Sequence, residues 1–172
     1  RSEMCIRDST STDVFENTPA FKNADAKKGE DGKDNADMKA YKDALEKAKK
    51  LLDAFDRTTG KPKGKLPDGM DKAPTQKELD DALKALQDAK KKIEDNYSTV
   101  KYDLRQEAGD DFTKSPEYQN AQAKGDDESK QALDEYKNAL DEANSVLADP
   151  NATQAEVDAA LKRLQDAKAK LK

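Results

Sequence analysis

Three sequence blocks occur twice along this chain, in the same order, and that duplication limits the fold more than any other feature. Phe15-Glu-Asn-Thr-Pro19-Ala-Phe21-Lys-Asn23-Ala24 returns 97 residues later as Phe112-Thr-Lys-Ser-Pro116-Glu-Tyr118-Gln-Asn120-Ala121. Tyr41-Lys-Asp-Ala44-Leu45 returns 95 residues later at Tyr136, Ala139 and Leu140. Thr75-Gln-Lys-Glu78-Leu-Asp-Asp-Ala82-Leu83 returns 78 residues later at Thr153, Glu156, Ala160 and Leu161. A unit repeated in this way is one supersecondary module used again. The separation falls between the second and third blocks, so about 17 extra residues sit in the first copy, roughly Asp56 to Lys72. That stretch holds Gly60, Pro62, Gly64, Pro67 and Gly69 and reads as a long surface loop.

Apolar spacing gives the elements. Tyr41, Ala44, Leu45, Ala48, Leu51, Leu52 and Phe55 recur at three and four with charged residues between them. Leu133, Tyr136, Ala139, Leu140, Ala143, Val146 and Leu147 repeat the pattern. Leu79 to Ile93 and Val157 to Leu171 each carry a further stripe. Each is one apolar face of an amphipathic helix. The last two open on Thr75 with Glu78 and on Thr153 with Glu156, the spacing of a capping box. Asp149-Pro150 stops the helix before the second of these. The spacing continues through Ile93, Tyr97, Val100, Leu104 and Ala108, and neither Pro nor Gly interrupts Glu78 to Ala108. This predicts one long helix that ends the first unit and begins the second, although Ser98 or Thr99 offers a cap for a separate helix. The expected architecture is all-α: two tandem three-helix-bundle repeats, 10–97 and 98–172, joined by that continuous helix.

The first copy is expected to be truncated at its N-terminus. At a separation of 97, the counterparts of Val100 and Leu104 are Glu3 and Arg7, which fall in an unusual opening segment. Met4 to Asp8 matches the in-frame translation of a common sequencing-library adapter, so residues 1–9 read as a non-native segment to be set aside before fold reasoning. The one cysteine, Cys5, goes with it, which leaves neither a disulfide nor thiol chemistry.

Composition narrows the function. There is no His and no Trp, which removes Ser-His-Asp and Cys-His catalysis and His-based metal sites. The 32 basic and 37 acidic residues are intermixed and leave a net charge of −5, so no basic face for nucleic acid or anionic lipid stands out. No stretch approaches the length of a membrane span.

The pattern Ser115-Pro116-x-Tyr118-x-Asn120-Ala121, then Tyr136-x-x-Ala139-Leu140-x-x-Ala143-x-x-Val146-Leu147, then Ala152-Thr153-Gln154-x-x-Val157-x-x-Ala160-x-x-x-Leu164-x-x-Ala167-x-x-x-Leu171, resembles the FIVAR repeat. The likeness covers most of the second copy and, the loop aside, the first copy from about Thr18. Such repeats stand in tandem in long surface proteins of Gram-positive bacteria, some of them adhesins for host matrix proteins such as fibronectin. Others belong to large secreted enzymes, glycoside hydrolases among them, in which the repeat is accessory. The resemblance implies a non-enzymatic fragment of an extracellular, cell-wall-associated protein, a monomeric rod acting as stalk and adhesive module. It implies no catalytic, cofactor-binding or metal-binding residue. A signal peptide and a wall anchor are expected to lie outside this fragment, and Leu66-Pro67-Asp68-Gly69 does not read as a sorting signal. The alternative is an accessory helical module of a secreted carbohydrate-active enzyme. A third reading, an intracellular coiled-coil scaffold, conflicts with stripes broken by loops every ~20–25 residues.

Residues with a chemical reading also have a plainer one. Asp80-Asp81, Asp110-Asp111 and Asp126-Asp127 are adjacent carboxylates, but an acid/base pair needs environments that separate the two pKa values. Lysines and other polar residues surround them, which suits solvated faces and caps, and Asp126, Asp127 and Glu128 suit a helix N-terminus. Gly29 to Asp34 misses the calcium-loop spacing and reads as a turn before a helix. Lys90-Lys91-Lys92 is flanked by Asp88 and Glu94 and does not read as a nucleic-acid site. Tyr41 and Tyr136 fall on apolar stripes, where core packing with the hydroxyl at the rim is expected. Asn96-Tyr97-Ser98 and Asn151-Ala152-Thr153 fit the N-glycosylation pattern, which a bacterial chain carries by chance or as a cap. The loop at 56–72 is the best place for a grafted contact site, against the plainer reading of an insertion that costs little.

Overall fold

The computed structural model describes residues 2–171, with side chains from residue 6 onward. The protein is all-helical. Its described residues contain no strand, only an isolated antiparallel bridge between Phe55 and Pro62. Two compact units, Arg1–Ser98 and Thr99–Lys172, each have a separate hydrophobic core.

In the first unit α1 (Ser2–Thr10) is followed by a single turn, α2 (Asp13–Glu16), and a short helix, α3 (Pro19–Ala26). Two long helices come next, α4 (Ala36–Leu52) and α5 (Gln76–Asn96). The second unit repeats the order: α6 (Tyr102–Gly109), a 3-10 turn (Phe112–Lys114), α7 (Pro116–Lys124), α8 (Asp127–Ala148) and α9 (Gln154–Lys170). The long helices lie along each other, α4 on α5 and α8 on α9, and the opening helix of each unit packs on both members of its pair. Short isolated helices are marginal in water, so α1 and α6 are stable only through this docking.

The helix starts are written in the sequence. Thr75 and Thr153 each accept from the amide three residues on, and Glu78 and Glu156 return the bond to the backbone N–H of the cap. Both capping boxes are therefore complete. Thr18 and Ser115 cap α3 and α7 ahead of Pro19 and Pro116, whose missing N–H would have had no helical partner. Asp126 caps α8 and Asn35 caps α4. Gly125 ends α7 at φ 63°, the left-handed region that a Cβ disfavours. Where α8 meets α9 the facing residues are small: Ala139, Ala143, Ala160 and Ala167 are buried around Leu164. Small side chains there allow close approach of the two helices.

The continuous helix predicted across the junction does not form. α5 ends at Asn96 and α6 begins at Tyr102. Tertiary hydrogen bonds have taken the backbone groups between them. The Tyr97 carbonyl accepts from Asn23 Nδ2 at 2.8 Å within the first unit. Within the second, the Val100 N–H donates to Gln154 Oε1 at 2.8 Å, and Gln154 Nε2 donates back to the Val100 carbonyl at 3.2 Å. Thr99 Oγ1 donates to the Ala152 carbonyl. Val100, expected on an apolar stripe, is 63% exposed. Periodicity alone cannot register that a side-chain amide satisfies a peptide group better placed outside a helix.

The first unit also differs from expectation. The apolar pattern predicts an opening helix lost to truncation, yet Ser2–Thr10 supply one in the place that α6 holds in the second unit. Ile6 is fully buried there, as Leu104 is in α6. Those two residues are 98 apart, whereas Phe15 and Phe112 are 97 apart. The first copy has one extra residue between its opening helix and its phenylalanine. A fixed separation of 97 therefore aligns Leu104 with polar Arg7 instead of with Ile6.

Candidate functional site

The residues that the two units share most closely form a joint of three aromatic rings and a lysine. In the first unit the Phe15 ring centroid lies 5.5 Å from Phe21 and 5.0 Å from Tyr41, and Phe21 lies 5.8 Å from Tyr41. In the second, Phe112 lies 6.4 Å from Tyr118 and 5.3 Å from Tyr136, and Tyr118 lies 5.8 Å from Tyr136. Edge-on and tilted contacts dominate both triads, the arrangement that ring quadrupoles favour. A lysine of the last helix closes each one. Lys90 Nζ donates to the Ser9 carbonyl and sits 5.6 Å from the Phe15 centroid. Lys168 Nζ donates to the Glu107 carbonyl at 2.9 Å and sits 5.4 Å from the Phe112 centroid. Each ammonium thus ties the last turn of the opening helix to the last long helix of its unit while resting over a ring. Lys168 is 7% exposed, and Glu107 Oε1 lies 3.7 Å from its charge. Burial pushes the Lys90 ammonium below its ordinary range. The sequence carries this signal in Ala89-Lys90 and Ala167-Lys168, 78 residues apart, which a reading of Lys90 as part of a lysine run misses.

Tyr41 departs from expectation in one respect. Its ring is in the core, but its hydroxyl is buried too and finds no hydrogen-bond partner among the described residues. Burial, aided by Glu16, pushes its phenol up to about 12 from an ordinary value of 10.0. The folded chain therefore favours the neutral phenol more than the unfolded chain does. That stability is complete below pH 10 and is lost as the pH rises towards 12. Tyr41→Phe should remove this loss from the first unit. It should also raise stability at neutral pH by about 1 kcal/mol, because an unsatisfied buried hydroxyl is removed. Urea unfolding at neutral pH and near pH 11 checks both points, and a destabilised variant at neutral pH would show that the hydroxyl has a partner.

The structure does not bring the other candidates together. Asp80, Asp81, Asp110, Asp111, Asp126 and Asp127 are all exposed. Asp126 is held below the usual carboxylate range because the Ser129 hydroxyl and amide donate to it, as a helix cap requires. Gly29 to Asp34 is a turn in which the Gly29 N–H donates to the Lys33 carbonyl, and Asp34 pairs with Lys28 and Lys42. Lys91 pairs with Asp95, and Lys92 with Asp37. Asn96 is the last residue of α5, and the Asn151 N–H donates to Asp149. Among the described residues, no group of three or more His, Cys, Asp or Glu side chains is placed to hold a metal ion. Among the described residues, no helix is long and apolar enough to cross a membrane.

The inserted loop is better ordered than its composition suggests. The Asp56 N–H donates to the Lys61 carbonyl and the Lys63 N–H to the Ala54 carbonyl, both at 2.8 Å, around the Phe55–Pro62 bridge. Asp56 Oδ1 accepts from the amides of Thr58 and Thr59, which lowers its pKa. Leu66 and Met70 fold back onto the first core.

Each unit is thus a small helical bundle with an opening helix locked over an aromatic cluster. Residues 106–172, within the second unit, match the family model of the FIVAR domain. That family comprises non-catalytic modules typical of cell-surface, matrix-associated proteins. No significant match to the chain is found among curated proteins or solved structures.

Proposed function

We propose that the chain is a non-catalytic repeat segment of a Gram-positive surface protein. It acts as a stalk that spaces other parts of the protein from the cell wall and as an adhesive module for a host extracellular-matrix protein such as fibronectin. The observation that carries this reading is the aromatic–lysine joint built twice in a chain whose second unit matches the FIVAR family model. Duplication of a whole packing motif, lysine and caps included, is the mark of a module that serves by number and placement. An enzyme, by contrast, needs one constellation of groups converging on a substrate.

Surface plasmon resonance of the purified chain over immobilised fibronectin tests the adhesive part. Saturable binding that neither Tyr41→Phe nor a scrambled-sequence helical peptide mimics or alters is the expected result. The flanking open reading frame tests the stalk. Further repeats on both sides support it, and an adjoining glycoside hydrolase domain would instead make the segment an enzyme's accessory module.

A further inference from the structure

The chain is acidic overall, yet from Arg57 to Lys65 it carries Arg57, Lys61, Lys63 and Lys65 with no carboxylate among them. Arg57 and Lys63 line a cleft of about 300 Å³ together with Lys49 and Asp53 from the end of α4 and Arg7 and Thr10 from α1. That volume is at the small end of ligand clefts. Several lysines of the long helices are neutralised at i,i+4: Lys39 by Asp43, Lys77 by Asp81, Lys84 by Asp88 and Lys162 by Asp166. Lys49, Arg57 and Lys63 form no such ion pair among the described residues. Asp56, the other nearby carboxylate, has Oδ1 engaged by two amides of its own turn. The backbone under Lys61 and Lys63 is fixed by the two 2.8 Å bonds that flank Pro62. These cations are therefore presented on a preset frame, which lowers the ordering cost of binding an anion.

We propose that this cleft binds an anionic polysaccharide. Lys49, Arg57 and Lys63 hold a sulfate or uronate group, and Lys61 and Lys65 offer further charge along the glycan chain. A guanidinium matches the paired oxygens of such groups, and ammonium groups supply the rest of the charge. Other polyanions fit less well. Single-stranded nucleic acid needs exposed rings for its bases to stack on. The one ring in the cleft, Phe55, is buried in the core. A membrane surface needs apolar side chains free to enter it beside the cations. Leu66 and Met70 are instead packed onto the first unit. Arg7 belongs to the adapter-like segment, and Lys49, Arg57 and Lys63 form a cationic wall without it. The second unit has no counterpart, since only five residues, Asp149 to Thr153, connect α8 to α9. This binding would be a property of the first unit, separate from fibronectin recognition.

Fluorescence anisotropy of the full chain with a labelled heparin hexasaccharide at low salt tests the assignment. The expected result is saturable, salt-sensitive binding that the double variant Arg57→Gln/Lys63→Gln weakens about tenfold or more. Lys77→Gln/Lys84→Gln removes the same charge from exposed positions of α5 and should leave affinity within about twofold. Circular dichroism should show both doubles as helical as the parent. Absence of binding, equal weakening by both doubles, or tighter binding of an oligothymidine strand or of phosphatidylserine vesicles would each overturn the proposal.

Discussion

Replacing Ile6 with alanine should destabilise the first unit by about 2–5 kcal/mol, the usual range for emptying a fully buried aliphatic site. Ile6 has no exposed surface and joins Phe15, Tyr41, Leu86 and Ile93 in one core cluster. The helix that carries it has nine residues, too few to persist undocked in water. Removing its buried side chain should therefore release α1, and with it the tie from Lys90 to the Ser9 carbonyl. Native-state hydrogen exchange read by NMR checks this: amides of α4 and α5 should lose protection. If they keep it and the urea midpoint of the first unit is unchanged, α1 is not part of the bundle. Setting residues 1–9 aside as non-native would then be correct structurally as well as by sequence. The substitution therefore separates two readings of the same nine residues.

Tyr136→Ala should cost the second unit about 3–5 kcal/mol, the range for a large buried aromatic. Tyr136 is 3% exposed and touches both other rings of its triad. The loss combines the transfer of a large apolar group, the cavity left beside Ala139, and two ring contacts worth about 0.5–1.5 kcal/mol each. Because a domain of this size has a net stability of only 5–15 kcal/mol, much of the margin disappears. Chemical unfolding followed by the remaining aromatic signals should show the shift, with Tyr136→Phe close to the parent. A change below about 1 kcal/mol for the alanine variant would mean that the triad is a surface cluster and the Ala-rich seam of α8 and α9 alone sustains the unit.

The parts of the fold legible in the sequence are those set by neighbours along the chain. Helix faces follow from a 3.6-residue period, so Tyr41 to Leu52 and Val157 to Leu171 can be read without tertiary information. Helix starts follow from a hydroxyl and a carboxylate three residues apart, so both capping boxes are visible in advance. The second unit's resemblance to the FIVAR repeat rests on these same positions, and residues 106–172 match that family. The inserted loop is also visible, because one separation between blocks is shorter than the other two.

Tertiary structure decided what depends on partners distant in sequence. The break between Asn96 and Tyr102 exists because Asn23 and Gln154 satisfy backbone groups 74 and 54 residues away. The placing of Ile6 depends on a one-residue difference that a fixed repeat separation hides. Lys90 and Lys168 look like members of charged runs, and only folding lays each over a phenylalanine and against the end of an opening helix. The cationic cleft likewise arises where Arg57 and Lys63 meet Lys49. The sequence by itself determined the helices, their caps and their duplication, because these depend on interactions within a few residues. The junction, the docking of α1 and the gathering of charge on the first unit were left to tertiary structure, because their energies come from groups brought together only when the chain folds.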